Sequence, residues 1–77
     1  MKEFLQKILS AVLDSSEGFE IKEEQQLNLT TYTIYVTEEN IGRVLGKEGK
    51  VIRAIRSLCR LKAGRQQQIL VKVETLS

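Results

Sequence analysis

A helical pattern of apolar residues that starts near Glu38 breaks at Gly46 and Gly49, with only Lys47 and Glu48 between the two glycines, and then resumes. Before the break Ile41, Val44 and Leu45 recur at helical spacing; after it Val51, Ile52, Ile55, Leu58 and Cys59 share one stripe. A glycine inside a helix costs about 1 kcal/mol relative to alanine, so a pair this close divides the pattern into two helices joined by a sharp bend. Thr37 suits the N-cap of the first helix, with Glu38 and Glu39 where a helix dipole favours negative charge. Gly64 is placed to end the second.

The rest of the chain sorts by period. Phe4, Leu5, Ile8, Leu9, Val12 and Leu13 recur with helical spacing over Met1 to Leu13, and the polar cluster Asp14-Ser15-Ser16-Glu17-Gly18 stops that helix. Phe19 and Ile21 alternate with Glu20 and Lys22 as in a half-buried strand that ends near Glu23 to Gln26. From Leu29 to Thr37 nearly every residue is β-branched or aromatic, which fits a pleated surface. Tyr32, Ile34 and Val36 are expected on its core face, with Thr33 and Tyr35 on the other. Ile69, Val71 and Val73 against Leu70, Lys72 and Glu74 predict a last strand. The order is helix, strand, strand, helix, helix, strand, an α+β fold with a three-stranded sheet and three helices on one face.

The 77 residues predict a single domain over 1–77. A chain this short buries only about 60% of the surface it exposes when unfolded, so its stability is marginal without a supplement, and a homodimer is one. One cysteine and no histidine exclude an intrachain disulfide and a nitrogen or sulfur zinc site. Without histidine no nucleophile and base pair assembles, so an enzyme is not expected. Cys59 reads as a small core residue, and Phe4 and Phe19 as core. Charged and amide side chains interrupt the first apolar stretch and no run is long enough to span a membrane, which places the chain in the cytoplasm.

Net charge is only +2, yet residues 41 to 65 hold eight basic side chains (Arg43, Lys47, Lys50, Arg53, Arg56, Arg60, Lys62, Arg65) against one acid, Glu48. The remainder carries four basic and nine acidic groups, so +7 in one segment faces −5 elsewhere. A local basic field attracts a polyanion even from a nearly neutral protein. The glycine bend lies inside that segment. Glycines let a phosphate approach the main chain closely, and the helix that follows presents unpaired N–H groups and the positive end of its dipole. Arg56, Arg60, Lys62 and Arg65 read either as RNA contacts or as a solvated basic face.

Residues 41 to 55, Ile41-Gly42-Arg43-Val44-Leu45-Gly46-Lys47-Glu48-Gly49-Lys50-Val51-Ile52-Arg53-Ala54-Ile55, resemble the signature of KH domains. The element order resembles the bacterial, type II arrangement, and the whole chain looks most like the KhpA family of small stand-alone bacterial KH proteins. That resemblance implies that Gly46, Lys47, Glu48 and Gly49 clamp the backbone of single-stranded RNA over about four nucleotides. Lys50, Arg53 and Arg43 add positive charge around that loop, and the resemblance lines an adjoining groove for bases with Ile41, Val44, Leu45 and Ile52. It further implies a KhpB/Jag-type RNA-binding partner, an RNA chaperone role, and effects on cell elongation and peptidoglycan homeostasis. Glu48 departs from the family, whose loop tips more often carry basic or neutral residues.

Four aromatic residues are too few for the stacking platform of an RRM or OB-type reader. Gly42 to Lys47 superficially matches a nucleotide P-loop, but is one residue short between its glycines, lacks the following Ser or Thr and follows a helix. The alternative reading is a protein–protein adaptor that uses a KH fold with a weakened clamp. No cofactor is expected.

Overall fold

The computed structural model describes residues 1–15 and 17–76. Helix α1 (Lys2–Leu13) is followed by strands β1 (Phe19–Gln26) and β2 (Leu29–Val36), helix α2 (Glu38–Leu45), a single 3₁₀ turn (Lys47–Gly49), helix α3 (Lys50–Ala63) and strand β3 (Gln68–Thr75). The architecture is the α+β arrangement expected, with a mixed sheet. Strand β2 lies in the middle, antiparallel to β1 and parallel to β3.

β2 is central because its residues suit both faces of a sheet. Tyr32, Ile34 and Val36 are buried on the helix side, each paired across to β1 and β3. On the other side Thr33 is buried between its register partners Lys22 and Lys72. Strand β1 runs through the whole polar stretch to Gln26, further than its alternation required, because a two-residue turn at Leu27 and Asn28 folds it directly onto β2. Of the polar cluster after α1, Ser16 lies outside the described residues; Asp14 caps the helix in the left-handed conformation.

One apolar cluster holds the layers together. Leu5, Leu9 and Leu13 from α1, Val44 from α2, and Ile52, Ile55 and Cys59 from α3 pack on Ile21, Tyr32, Ile34, Val36 and Val71 of the sheet. Burying each large aliphatic side chain contributes about 1.5–3 kcal/mol, so roughly a dozen such residues carry the stability of this small unit. Phe4 and Phe19 are half-buried and flank the cluster instead of filling it, a correction to the sequence reading. Phe4 also takes the Lys62 ammonium 5.6 Å from its ring centroid, which ties α1 to α3. Leu58 is 44% exposed and departs from the expected core stripe.

Among the described residues no helix is long and apolar enough to cross a membrane, and no group of three or more His, Cys, Asp or Glu is arranged to hold a metal ion.

Candidate nucleic-acid interface

Helix α2 is short because Gly46 ends it. At φ 75° and ψ 172°, Gly46 occupies backbone space that only glycine enters comfortably, and its N–H donates to the Gly42 carbonyl at 2.8 Å. A Cβ there would collide with the Val51 side chain and stand 2.8 Å from the Val51 backbone nitrogen. Gly49 has a different reason to be glycine. It is left-handed at φ 74°, ψ 19°, yet a Cβ there would meet only Ile52 Cγ2 at 3.9 Å. One glycine is demanded by packing and backbone together, the other by backbone alone.

Between them the chain makes a tight turn closed by Gly49 N–H donating to Gly46 O at 3.1 Å. Glu48 takes the left-handed conformation, φ 57° and ψ 25°, which costs a non-glycine residue about 1–2 kcal/mol. Lys47, Glu48 and Lys50 are exposed, so the bend stands open to solvent.

The first turn of α3 breaks the rule that the start of α2 obeys. Glu38 and Glu39 sit at the positive end of α2, whereas α3 has no acid in its first turn and carries Lys50 there, with Arg53 just beyond. Each mismatch with the dipole costs about 0.3–1 kcal/mol. No side chain caps α3 at Gly49. The Gly49 and Lys50 N–H groups already donate to Gly46 O and Lys47 O, so it is the dipole end and the ammonium groups that converge on one exposed place, which an anion would relieve. Thr37 is the N-cap of α2 as expected, but its backbone carbonyl does the work, accepting from Asn40 and Ile41 N–H at 3.0 Å; its hydroxyl makes no capping bond.

The arginines of α3 are partly committed to the protein itself. Arg53 donates from Nη2 to Glu48 O at 2.8 Å and from Nε to Gly49 O at 3.3 Å. Half-buried Arg56 donates from Nε to Val71 O at 3.1 Å, covering a carbonyl on the free edge of β3. Arg56, Arg60, Ile69, Leu70 and Val71 enclose a hollow of about 210 Å³ between α3 and that edge. It adjoins a wider groove of about 780 Å³ past the C-terminal end of α3, lined by Leu29, Leu61, Ile69 and Leu70 with Arg60 and Arg65 among its walls. Arg53, Arg56 and Arg60 fall on one helical face and lead from the bend towards this groove over about 10 Å.

The bend thus brings together Gly46, Lys47, Glu48, Gly49, Lys50 and Arg53. Arg43 is exposed on the last turn of α2. The groove expected beside the bend needs correction: Val44 and Ile52 are sealed in the core, where they anchor α2 and α3, and Ile41 is half-buried against them. Leu45, 37% exposed, is the open member of that set. The missed features are Arg53 on the loop carbonyls, Arg56 on Val71, and the apolar groove at Leu61. Arg53 had a local signal, standing one helical turn after Gly49.

Burial pushes the Cys59 thiol above its ordinary value, against a smaller opposite pull from the N-terminal ammonium. A fully buried thiol held neutral is a packing group, not a nucleophile.

The KhpA/KhpB KH-domain family matches residues 2–74. A Thermotoga maritima protein named RNA-binding protein KhpA is 34% identical over 73 residues, 95% of this chain and 97% of that protein. Proteins of the same name from Chlamydia trachomatis serovar D and Listeria monocytogenes serovar 1/2a are 43% and 36% identical over 58 residues; these span 75% of this chain and 74% and 76% of theirs. On the match over residues 2–74 and these identities, the chain belongs to the KhpA/KhpB KH-domain family.

Proposed function

We propose that this protein binds single-stranded RNA by holding phosphates against the bend at Gly46-Lys47-Glu48-Gly49. The observation that carries the reading is the start of α3, exposed and uncapped, with basic side chains where the dipole calls for acids. Lys47 and Lys50 supply mobile charge, the first-turn amides supply donors, and Leu45 offers apolar surface beside them. Relatives named as RNA-binding proteins support the assignment.

Binding by one such unit is weak and salt-sensitive. Each phosphate neutralised on a single strand contributes about −0.7 to the log-log salt slope. Three or four contacts therefore imply a loss on the order of tens of fold between ~50 and ~200 mM salt.

Within the family reading, the protein acts in the cytoplasm as an RNA chaperone or post-transcriptional regulator, with a KhpB/Jag-type partner or a second copy of itself, and influences cell elongation and peptidoglycan homeostasis. The uncovered leucines around the groove past α3 support a protein contact. They also favour the second reading, an adaptor in which the bend is secondary.

Replacing Lys47→Asp together with Glu48→Asp separates these. The first change reverses a charge at the bend; the second keeps a residue type that tolerates the left-handed conformation. The double variant is expected to lose RNA retention in a gel-shift assay while keeping its circular dichroism spectrum. Unchanged retention would refute the bend as the RNA site. In cells, crosslinking followed by RNA sequencing tests the adaptor reading, whose function survives this change.

A further inference from the structure

We infer that Arg53 is a positioning residue that sets the bend in its phosphate-accepting shape before any RNA arrives, an inference that rests on the RNA-binding reading above. The sequence places Arg53 among the cations offered to RNA. In the structure its guanidinium is turned back onto the protein, with Nη2 on Glu48 O and Nε on Gly49 O.

Glu48 and Gly49 are successive left-handed residues, at φ 57° and φ 74°, so their carbonyls turn to the same side and one planar fork reaches both. Peptide planarity then extends the effect. Fixing the Glu48 carbonyl fixes the plane that contains the Gly49 N–H, whose bond to Gly46 O closes the turn. Fixing the Gly49 carbonyl likewise fixes the plane that contains the Lys50 N–H, which donates to Lys47 O and so closes the turn a second time. Arg53 therefore sets two consecutive peptide planes at the point where an anion would dock. It also opposes the tendency of Glu48 to leave a conformation that disfavours it, and its bonds to carbonyl oxygens offset the cost of a cation near the positive end of α3.

A lysine cannot do this. Its ammonium is a compact point charge on a flexible stem without the fork geometry that spans two adjacent carbonyls. Charge and positioning can thus be told apart.

The experiment compares unmodified protein, Arg53→Ala and Arg53→Lys, with Lys50→Ala as the charge-only reference. Anisotropy of a fluorescein-labelled, mixed-sequence single-stranded RNA gives affinity at several salt concentrations, and amide exchange in the RNA-free proteins gives the opening of the Gly49 N–H. Arg53→Ala is expected to weaken RNA binding on the order of tenfold at every salt concentration, without changing the salt slope, and to speed Gly49 exchange by a similar factor. Arg53→Lys restores neither. Lys50→Ala lowers the slope by about 0.7 and leaves Gly49 exchange alone. A slope lowered by about 0.7 in Arg53→Ala, with exchange unchanged, would make Arg53 a direct phosphate contact and overturn the inference. Full recovery in Arg53→Lys would overturn it too. Failure of the unmodified protein to bind RNA would instead defeat the RNA reading, while Gly49 exchange still decides whether Arg53 holds the bend.

Discussion

Helices α2 and α3 end on glycines with nearly the same backbone, Gly46 at φ 75°, ψ 172° and Gly64 at φ 81°, ψ −178°. In each the glycine N–H donates to the carbonyl four residues back, Gly42 O at 2.8 Å and Arg60 O at 3.1 Å. The surroundings differ. Val51 packs directly where a Cβ of Gly46 would stand, while no atom of the described residues lies within 4 Å of the equivalent point at Gly64. The same dihedral requirement has built a braced corner at one end of α3 and an unsupported one at the other. Bracing suits a site that must present backbone amides in a fixed array; openness suits the loop beside an apolar groove that can adapt to what enters it.

The comparison breaks most visibly at Gly46→Ala. Forcing a side chain into this backbone region costs about 1–3 kcal/mol, and crowding a packed site adds about 1–3 kcal/mol. A loss of about 2–6 kcal/mol, read from urea unfolding, is a large share of what a domain this small possesses. Gly64→Ala meets the backbone term alone and is expected to lose about 1–3 kcal/mol, with RNA affinity of the folded protein retained. Equal losses at the two positions would show that Val51 does not brace the first corner.

Along the chain as a whole the sequence was legible wherever burial follows a local period. The β-branched run of β2, the stripes of α1 and the glycine break all report which face meets the core, and that is decided within a few residues. Leu58 misled because its stripe position is right for a helix, while its exposure depends on what the rest of the fold packs against α3. Val44 and Ile52 misled in the opposite sense: the two helices meet each other at the bend, and side chains expected to face a ligand close against the core. Arg56 was illegible for a longer-range reason. Its partner carbonyl on Val71 comes from a strand 15 residues away, and no spacing announces where a free strand edge arrives.

A smaller effect sharpens the account of the braced corner. Glu48→Gly removes a left-handed penalty of about 1–2 kcal/mol but gives the unfolded chain back roughly 0.5–1 kcal/mol of freedom. A net gain of about 0.5 kcal/mol is expected in urea unfolding, and RNA binding should tighten at fixed salt because a carboxylate leaves the proposed phosphate site. The Arg53 bonds survive, since they are to main-chain oxygens. A loss of stability would mean that the glutamate side chain, and not its backbone, holds the turn.

The smallest effect belongs to the open end. Leu61 is 80% exposed on the last turns of α3 and lines the groove with Leu29, Ile69 and Leu70. An exposed aliphatic side chain gains little from its own fold, so Leu61→Lys should change unfolding stability by no more than about 0.5 kcal/mol. Its added charge lies at the far end of α3 from the bend, so the bend is untouched. If that end is where a second copy docks, sedimentation at rising protein concentration will show association in the unmodified protein and its loss in Leu61→Lys. A drop of more than about 1 kcal/mol in stability would instead show that Leu61 closes over the protein's own core, and the contrast between a braced corner and an open one would fail at the end where it predicts the least.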